Sequence, residues 1–185
     1  APSTSSVAPA VLLHADAFVD SGPNALTVTS YNYATVSTTS KLGTGSFYFL
    51  NNGTSYVGTS ASTALNVGGN NFTIEFWFNW TGVYSTSGSG WQRMMSNKTS
   101  GAWGANQWVI GYDNNTNNGT ARLFLAVNNN STNYTSVTVP TPNTWYHVAF
   151  VRNGSSLLVF FNGILESTGS ISGNVDDGTT ARNLA

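Results

Sequence analysis

Side chains able to do acid, base or nucleophilic chemistry are scarce in this sequence. The only glutamates are Glu75 and Glu166, the aspartates are Asp16, Asp20, Asp113, Asp176 and Asp177, the histidines are His14 and His147, and cysteine is absent. Hydrolysis of a glycosidic bond normally needs two carboxyl groups flanking that bond, roughly 5–10 Å apart. Glu75 sits in an alternating apolar segment and Glu166 in a distant turn, so the two do not form such a pair. His14 and His147 have the residue type of a base or metal ligand, yet only Asp16 stands close to His14 in sequence and no second imidazole is near either. Both are expected to be structural. Gly43-Thr44-Gly45-Ser46 and Gly88-Ser89-Gly90 read as flexible turns, not as the strand-to-helix elbow that exposes a nucleophilic serine. With no cysteine, thiol catalysis and thiolate metal sites are excluded. The expectation is a protein that is not an enzyme.

Binding chemistry remains. A protein poor in charge holds a sugar by stacking aromatic faces on its C–H surfaces, with amide and backbone groups bonding its hydroxyls. The candidate ligand-binding residues are Tyr84, Trp91 and Trp103, in or beside Gly/Ser-rich stretches, with Asn114, Asn115, Asn133 and Tyr134 in other loops. Trp91 and Trp103 could instead cap the ends of a folded core.

These residues need a scaffold, and composition bounds it. A chain of 185 residues with 40% apolar and 13% aromatic residues is long enough for one domain with a sizeable core. Charged residues make up only 7%, against roughly 25% in ordinary soluble domains, so the polar surface is built from Ser, Thr, Asn and Gly. Six scattered Lys and Arg and a net charge of −1 provide no basic stripe for nucleic acid or an anionic membrane. No apolar run approaches the roughly 20 residues that span a bilayer. The opening Ala1-Pro2-Ser3-Thr4-Ser5-Ser6 is neither signal peptide nor hydrophobic segment, and is expected to follow removal of a signal or of an initiator Met. Sequons such as Asn52-Gly53-Thr54 and Asn153-Gly154-Ser155 are explained by the abundance of Asn, Ser and Thr.

Residues 1–9 read as a flexible linker or arm. From Val11 onward, short apolar runs alternate with Gly, Asn, Ser and Thr clusters, the pattern of an all-β sandwich. Phe72 to Trp80 is the clearest strand, with Phe72, Ile74, Phe76, Phe78 and Trp80 in one phase and Thr73, Glu75, Trp77 and Asn79 in the other. Trp145 to Val151 and Leu157 to Phe161 form a hairpin through Asn153-Gly154, and Asn162-Gly163 turns the chain again into Ile164-Leu165-Glu166. Further strands are expected at Ala10 to His14, Ala25 to Thr29, Ser46 to Leu50, Gln92 to Ser96, Trp108 to Tyr112, Ala121 to Val127 and Ser136 to Val139. Gly82 to Gly90 and Asp113 to Gly119 are expected loops.

Three segments together resemble the laminin-G-like domains of the concanavalin A-like lectin/glucanase superfamily, in the version found in bacterial surface and phage virion proteins. They are Val11-Leu12-Leu13-His14-Ala15-Asp16 with Asp20-Ser21-Gly22 and Leu26-Thr27-Val28; Lys41 to Phe49 leading to Asn71 to Trp77; and Trp145 to Arg152 followed by Phe161-Asn162-Gly163. The resemblance covers roughly residues 10–175. It implies an antiparallel two-sheet jelly roll, with ligand contacts in rim loops or on the concave sheet. Glucanases of this fold carry a Glu-X-Asp-X-X-Glu motif, and at those spacings Glu75 is followed by Trp77 and Trp80. Calcium-binding members offer acidic turns, whereas the corresponding Asn51-Asn52-Gly53-Thr54-Ser55-Tyr56 has no carboxylate. No cofactor or metal residue is therefore assigned, with Asp16, Asp20, Asp113, Asp176 and Asp177 the remaining ligands open to calcium.

Family domains close with a further strand, and this chain, stopping at Thr180-Ala181-Arg182-Asn183-Leu184-Ala185, is expected to lack it, so the domain at 10–185 would expose a sheet edge to a neighbouring chain. The expected function is a non-catalytic carbohydrate-binding (lectin) or adhesion module on a virion or cell surface. The alternative is a structural virion component, a decoration or fibre protein packing in a capsid, tail or filament lattice. Expected partners are a glycan or neighbouring protein subunits, including a homo-oligomer or lattice contact through the open edge, and neither nucleic acid nor an inserted membrane. The expected location is extracellular or the virion surface.

Overall fold

Strict alternation over Phe72 to Asn79 makes one face of that strand apolar and the other polar, and the fold is built around burying the apolar face. The structure is a computed structural model describing residues 8–50, 54–82, 91–97, 106–113, 122–128, 134–176 and 182–184, of which Trp91, Asp113, Tyr134 and 182–184 are described by backbone alone. Among the described residues the strands in chain order are β1 (Val28–Tyr31), β2 (Thr35–Ser37), β3 (Ser46–Tyr48), β4 (Tyr56–Thr59), β5 (Phe72–Asn79), β6 (Trp91–Ser96), β7 (Trp108–Asp113), β8 (Arg122–Val127), β9 (Tyr134–Thr135), β10 (Trp145–Asn153), β11 (Ser156–Phe161), β12 (Ile164–Ser170) and β13 (Arg182–Leu184). Among the described residues the only helix is a single 3-10 turn at Thr63–Leu65.

Two antiparallel sheets make the sandwich. One runs β1-β4-β13-β6-β7-β8-β9 and the other β12-β11-β10-β5, with β2 and β3 as a separate ribbon. Between the sheets, Trp108, Ile110, Tyr112, Leu123 and Leu125 from the larger meet Phe78, Val148, Phe150, Leu157, Val159 and Phe161 from the smaller. Each such side chain contributes roughly 1.5–3 kcal/mol on burial. Gly111 is required by close packing: a Cβ there would lie 2.5 Å from the Gln92 carbonyl oxygen and 2.8 Å from the Phe124 ring.

Turn chemistry sets the hairpin registers. Asn153 pairs with Ser156, leaving Gly154 (φ 61°) as first residue of a two-residue loop. Asn162 (φ 49°) and Gly163 (φ 80°) both adopt the left-handed region that a type I′ turn demands between β11 and β12.

Three strand expectations are corrected. Ala10 to His14 is not a strand, because the Leu12 N–H donates to Asp20 Oδ1 at 2.9 Å and its carbonyl accepts from the Ser21 N–H at 2.8 Å, closing a loop in place of a ladder. Ser136 to Val139 also leaves the sheet: the N–H groups of Val137 and Thr138 donate to Glu166 Oε2 at 2.7 and 3.0 Å, and the Thr138 hydroxyl to Oε1. The strand placed at Ala25 to Thr29 shifts to β1. The C-terminal residues Arg182–Leu184 form β13, which pairs with both β4 and β6 inside the larger sheet. Edge positions fall to β1, β9, β12 and β5 among the described strands.

One end of the sandwich gathers buried polar groups, and they bond one another. The Trp108 indole N–H donates to Asp176 Oδ2 at 2.9 Å, and the Trp108 backbone N–H donates to Asn97 Oδ1 at 2.7 Å. Asn97 Nδ2 donates to the Asn106 carbonyl at 2.8 Å. Arg152 donates to the carbonyls of Gly154 at 3.1 Å and Gly173 at 2.9 Å, with a longer contact to Gly68 at 3.5 Å. All four side chains are buried. A buried polar group left unpaired costs roughly 1–3 kcal/mol, which this closed network avoids.

Candidate functional site

The polar phase of β5 faces away from the core, and one of its members is not polar. Trp77 lies among Thr73, Glu75 and Asn79 and is 37% exposed. Register places His147 of β10 directly opposite Trp77. One strand further, Asn162 completes the row: the His147 N–H donates to Asn162 Oδ1 at 2.9 Å, and the Asn162 N–H donates to the His147 carbonyl at 2.8 Å. The row Trp77, His147, Asn162 therefore runs from β5 across β10 to the turn between β11 and β12, held by backbone pairing and the Asn162-Gly163 turn.

Neighbouring groups close this row into a shallow pocket of about 450 Å³ lined by Lys41, Trp77, Trp145, His147, Asn162 and Gly163. That size lies within the range of small-ligand sites. Lys41, from the connection between β2 and β3, places its ammonium 5.0 Å from the centre of the Trp77 ring. Cation–π contacts at exposed sites are worth about 0.5–1 kcal/mol, so the lysine can exchange the ring for another partner. The Trp77 and His147 rings sit 5.3 Å apart, and His147 Nε2 lies 3.4 Å from Glu75 Oε2. A larger opening runs along the free edge of β5; it shares Lys41, Trp77, Trp145 and His147 with this pocket and adds Phe72, Ile74, Phe76 and Phe78, which pack in or against the core.

Tyr84, Trp103, Asn114, Asn115 and Asn133 lie outside the described residues, and of Trp91 and Tyr134 only the strand positions, at the starts of β6 and β9, are described. The strand ends that flank them separate into two groups. Trp91 pairs with Asp113 and Asp113 with Arg122, at one end of the larger sheet, beside the segments carrying Tyr84, Asn114 and Asn115. Ser96 pairs with Val109 and Val109 with Ala126 at the other end, beside the segments carrying Trp103 and Asn133. Six strand residues separate these ends by roughly 17–20 Å.

Trp77, Trp145, His147, Lys41 and Asn162, which line this pocket, are not among the binding candidates singled out from the sequence. The available signal was the position of Trp77 in the polar phase of an amphipathic strand, since a large aromatic on the solvent face has no core to fill. His147, expected to be structural, lies in this pocket. Glu75 has no carboxylate partner across the strand pair, its opposite residue on β10 being Ala149. Glu166 accepts three hydrogen bonds from Val137 and Thr138.

Two of the aspartates open to calcium serve as acceptors within the chain. Asp20 accepts the N–H groups of Leu12, Gly22 and Leu26 at 2.9, 2.8 and 2.9 Å. Burial raises its pKa, but these three backbone bonds outweigh that and hold the carboxyl below its ordinary 3.8. Asp176 accepts the Trp108 indole N–H. Among the described residues, no group of three or more His, Asp or Glu side chains converges as a metal site would require.

The fold has relatives of known structure. Domain 4 of AbnA, a GH43 extracellular arabinanase from Geobacillus stearothermophilus solved with arabinotriose, superposes with a TM-score of 0.60 at 17% identity, over 90% of this chain and 77% of that one. The binding domain of Paraclostridial Mosquitocidal Protein 1 superposes with a TM-score of 0.71 at 12% identity, over 94% of this chain but only 42% of that one. No curated protein matches in sequence. The Laminin_G_3 model, described as concanavalin A-like lectin/glucanases superfamily, matches residues 51–185. With that match across most of the chain and an antiparallel two-sheet sandwich beneath it, this protein belongs to the concanavalin A-like lectin/glucanases superfamily as a laminin-G-like domain.

Proposed function

We propose that this domain is a non-catalytic carbohydrate-binding or adhesion module, displayed outside the cell or on a virion as in bacterial surface and phage proteins. The observation that carries the reading is the outward pocket in which Trp77 and Trp145 stand beside Lys41, His147 and Asn162. Two indoles supply apolar faces for sugar C–H groups, and the flanking side chains supply hydrogen bonds, the mixture that a neutral or charged sugar ring needs. The jelly roll shared with an arabinanase domain solved with arabinotriose is in keeping with this reading. Catalysis is not part of it, because Glu75 faces Ala149 across the strand pair and Glu166 is committed to Val137 and Thr138.

The loop residues Tyr84, Trp91, Trp103, Asn114, Asn115, Asn133 and Tyr134 are proposed as accessory contacts to a longer glycan, from two ends of the larger sheet. The test is a glycan array followed by calorimetry on the best ligand. Trp77→Ala is expected to lower affinity at least about tenfold, as loss of a central aromatic anchor does. Unchanged affinity in Trp77→Ala, with loss in Trp91→Ala or Trp103→Ala, moves the site to the loops. No binding to any glycan turns the assignment towards a structural component packing against protein neighbours.

A further inference from the structure

The hydrogen-bonding inventory of the pocket is one-sided. Lys41 carries three donors and no acceptor, and each indole N–H of Trp77 and Trp145 is a donor only. The side-chain carbonyl oxygen of Asn162 accepts the His147 N–H, and its NH₂ group can only donate. The carboxylate closest to the site, Glu75, is engaged by His147 Nε2 at 3.4 Å and does not line the pocket. Among the described residues, no carboxylate lies within ion-pair distance of Lys41, whose contact is with the Trp77 ring at 5.0 Å. The pocket therefore offers mainly donors and one full positive charge, with a ring nitrogen of neutral His147 as its side-chain acceptor.

Resting on the binding-module reading above, we propose that the pocket selects an anionic glycan, one whose sugar carries a carboxylate or sulfate group. In this arrangement the sugar ring lies against the indoles of Trp77 and Trp145. Its anionic group takes the Lys41 ammonium away from the Trp77 face and accepts the Asn162 amide. Lys41 is suited to this exchange because it projects from a connection between two short strands and holds only the ring. An ammonium is a point charge without the planar fork of arginine, so the structure selects charge and leaves carboxylate and sulfate to be distinguished by measurement.

The experiment is calorimetric titration of the whole domain with paired probes: oligogalacturonate against the same oligomers with their carboxyl groups reduced to alcohols, and a sulfated galactan against its desulfated form. The expected result is at least tenfold tighter binding of one charged probe than of its neutral twin, weakening as salt is raised. Lys41→Gln should remove that preference, so that the charged and neutral probes then bind alike, while the melting temperature stays unchanged. Trp77→Ala should weaken both probes of the pair. Equal affinity for charged and neutral probes, lost in Trp77→Ala, would overturn the charge selection and leave the binding module standing. A preference that survives Lys41→Gln also overturns it, since the charge is then read elsewhere. Absence of binding to every probe and to a wider glycan array defeats both readings.

Discussion

The molecule uses one set of residue types twice, to opposite ends. At the closed end of the sandwich, Trp108, Asp176, Asn97 and Arg152 are all buried and spend their polar atoms on one another and on backbone carbonyls. On the outward face of the smaller sheet, Trp77, Glu75, Asn162 and Lys41 repeat the list with most donors left over. Residue type therefore says little about role here. What separates the two regions is the strand phase that carries the indole: Trp108 sits in the core phase of β7, 5% exposed, and Trp77 in the solvent phase of β5, 37% exposed. A satisfied network stabilises and has nothing to offer a ligand, and an unsatisfied one at the surface does the reverse.

The comparison breaks most visibly if the two tryptophans are truncated side by side. Trp108→Ala removes a buried indole and one hydrogen-bond donor to Asp176, and is expected to destabilise the fold by about 3–5 kcal/mol in urea denaturation. Trp77→Ala should cost about 1 kcal/mol or less, since its ring is largely outside the core. Similar losses for the two would mean that Trp77 is a packing residue and that the outward pocket is closed in solution.

A middle-sized effect is expected where a carboxylate serves the backbone alone. Asp20 holds the N–H groups of Leu12, Gly22 and Leu26, and these bonds keep its pKa below the ordinary 3.8 despite burial. Because the folded value is depressed, the stabilisation is fully present above the unfolded value and is lost as pH falls through the folded one. Asp20→Asn should cost about 1–2 kcal/mol near neutrality, by weakening charge-assisted bonds. Denaturation midpoints of the two proteins should converge as pH is lowered from about 4 towards 2. Parallel curves over that range would show that the geometry of the turn, not the charge of Asp20, is what the backbone needs.

Legibility in the sequence followed length and contrast. β5, β10 and β11 were readable because long runs of large apolar residues alternate strictly or end at Asn-Gly, so period and turn agree. β2, β4 and β13 escaped because three or four residues are too few to show a period, in a chain where Ser, Thr, Gly and Asn are everywhere. Ala10 to His14 and Ser136 to Val139 misled for another reason: their apolar composition suits a strand, but Asp20 and Glu166 supply the acceptors that a neighbouring strand would have supplied. The pocket was harder still. Trp77 and His147 meet only through the pairing of β5 with β10, and Lys41 reaches them only through the placement of a separate ribbon. No local pattern encodes either, whereas the phase of Trp77 within β5 was visible throughout.

The smallest effect sharpens the comparison most, because it separates stability from binding at a single side chain. Glu75 is the outward counterpart of Asp176, but its side chain is 61% exposed and its contact with His147 is 3.4 Å long. Exposed pairs of this kind contribute between zero and about 1 kcal/mol, so Glu75→Gln should move the melting transition hardly at all. The same change removes the negative charge nearest a pocket that otherwise presents Lys41 and hydrogen-bond donors. Affinity for an anionic glycan should therefore rise roughly two- to fivefold at low salt, the scale of one exposed charge contact of up to about 1 kcal/mol, and return to the wild-type value at high salt. A drop in affinity would instead give Glu75 the part of an acceptor for sugar hydroxyls, and with it the pocket would belong to a neutral sugar.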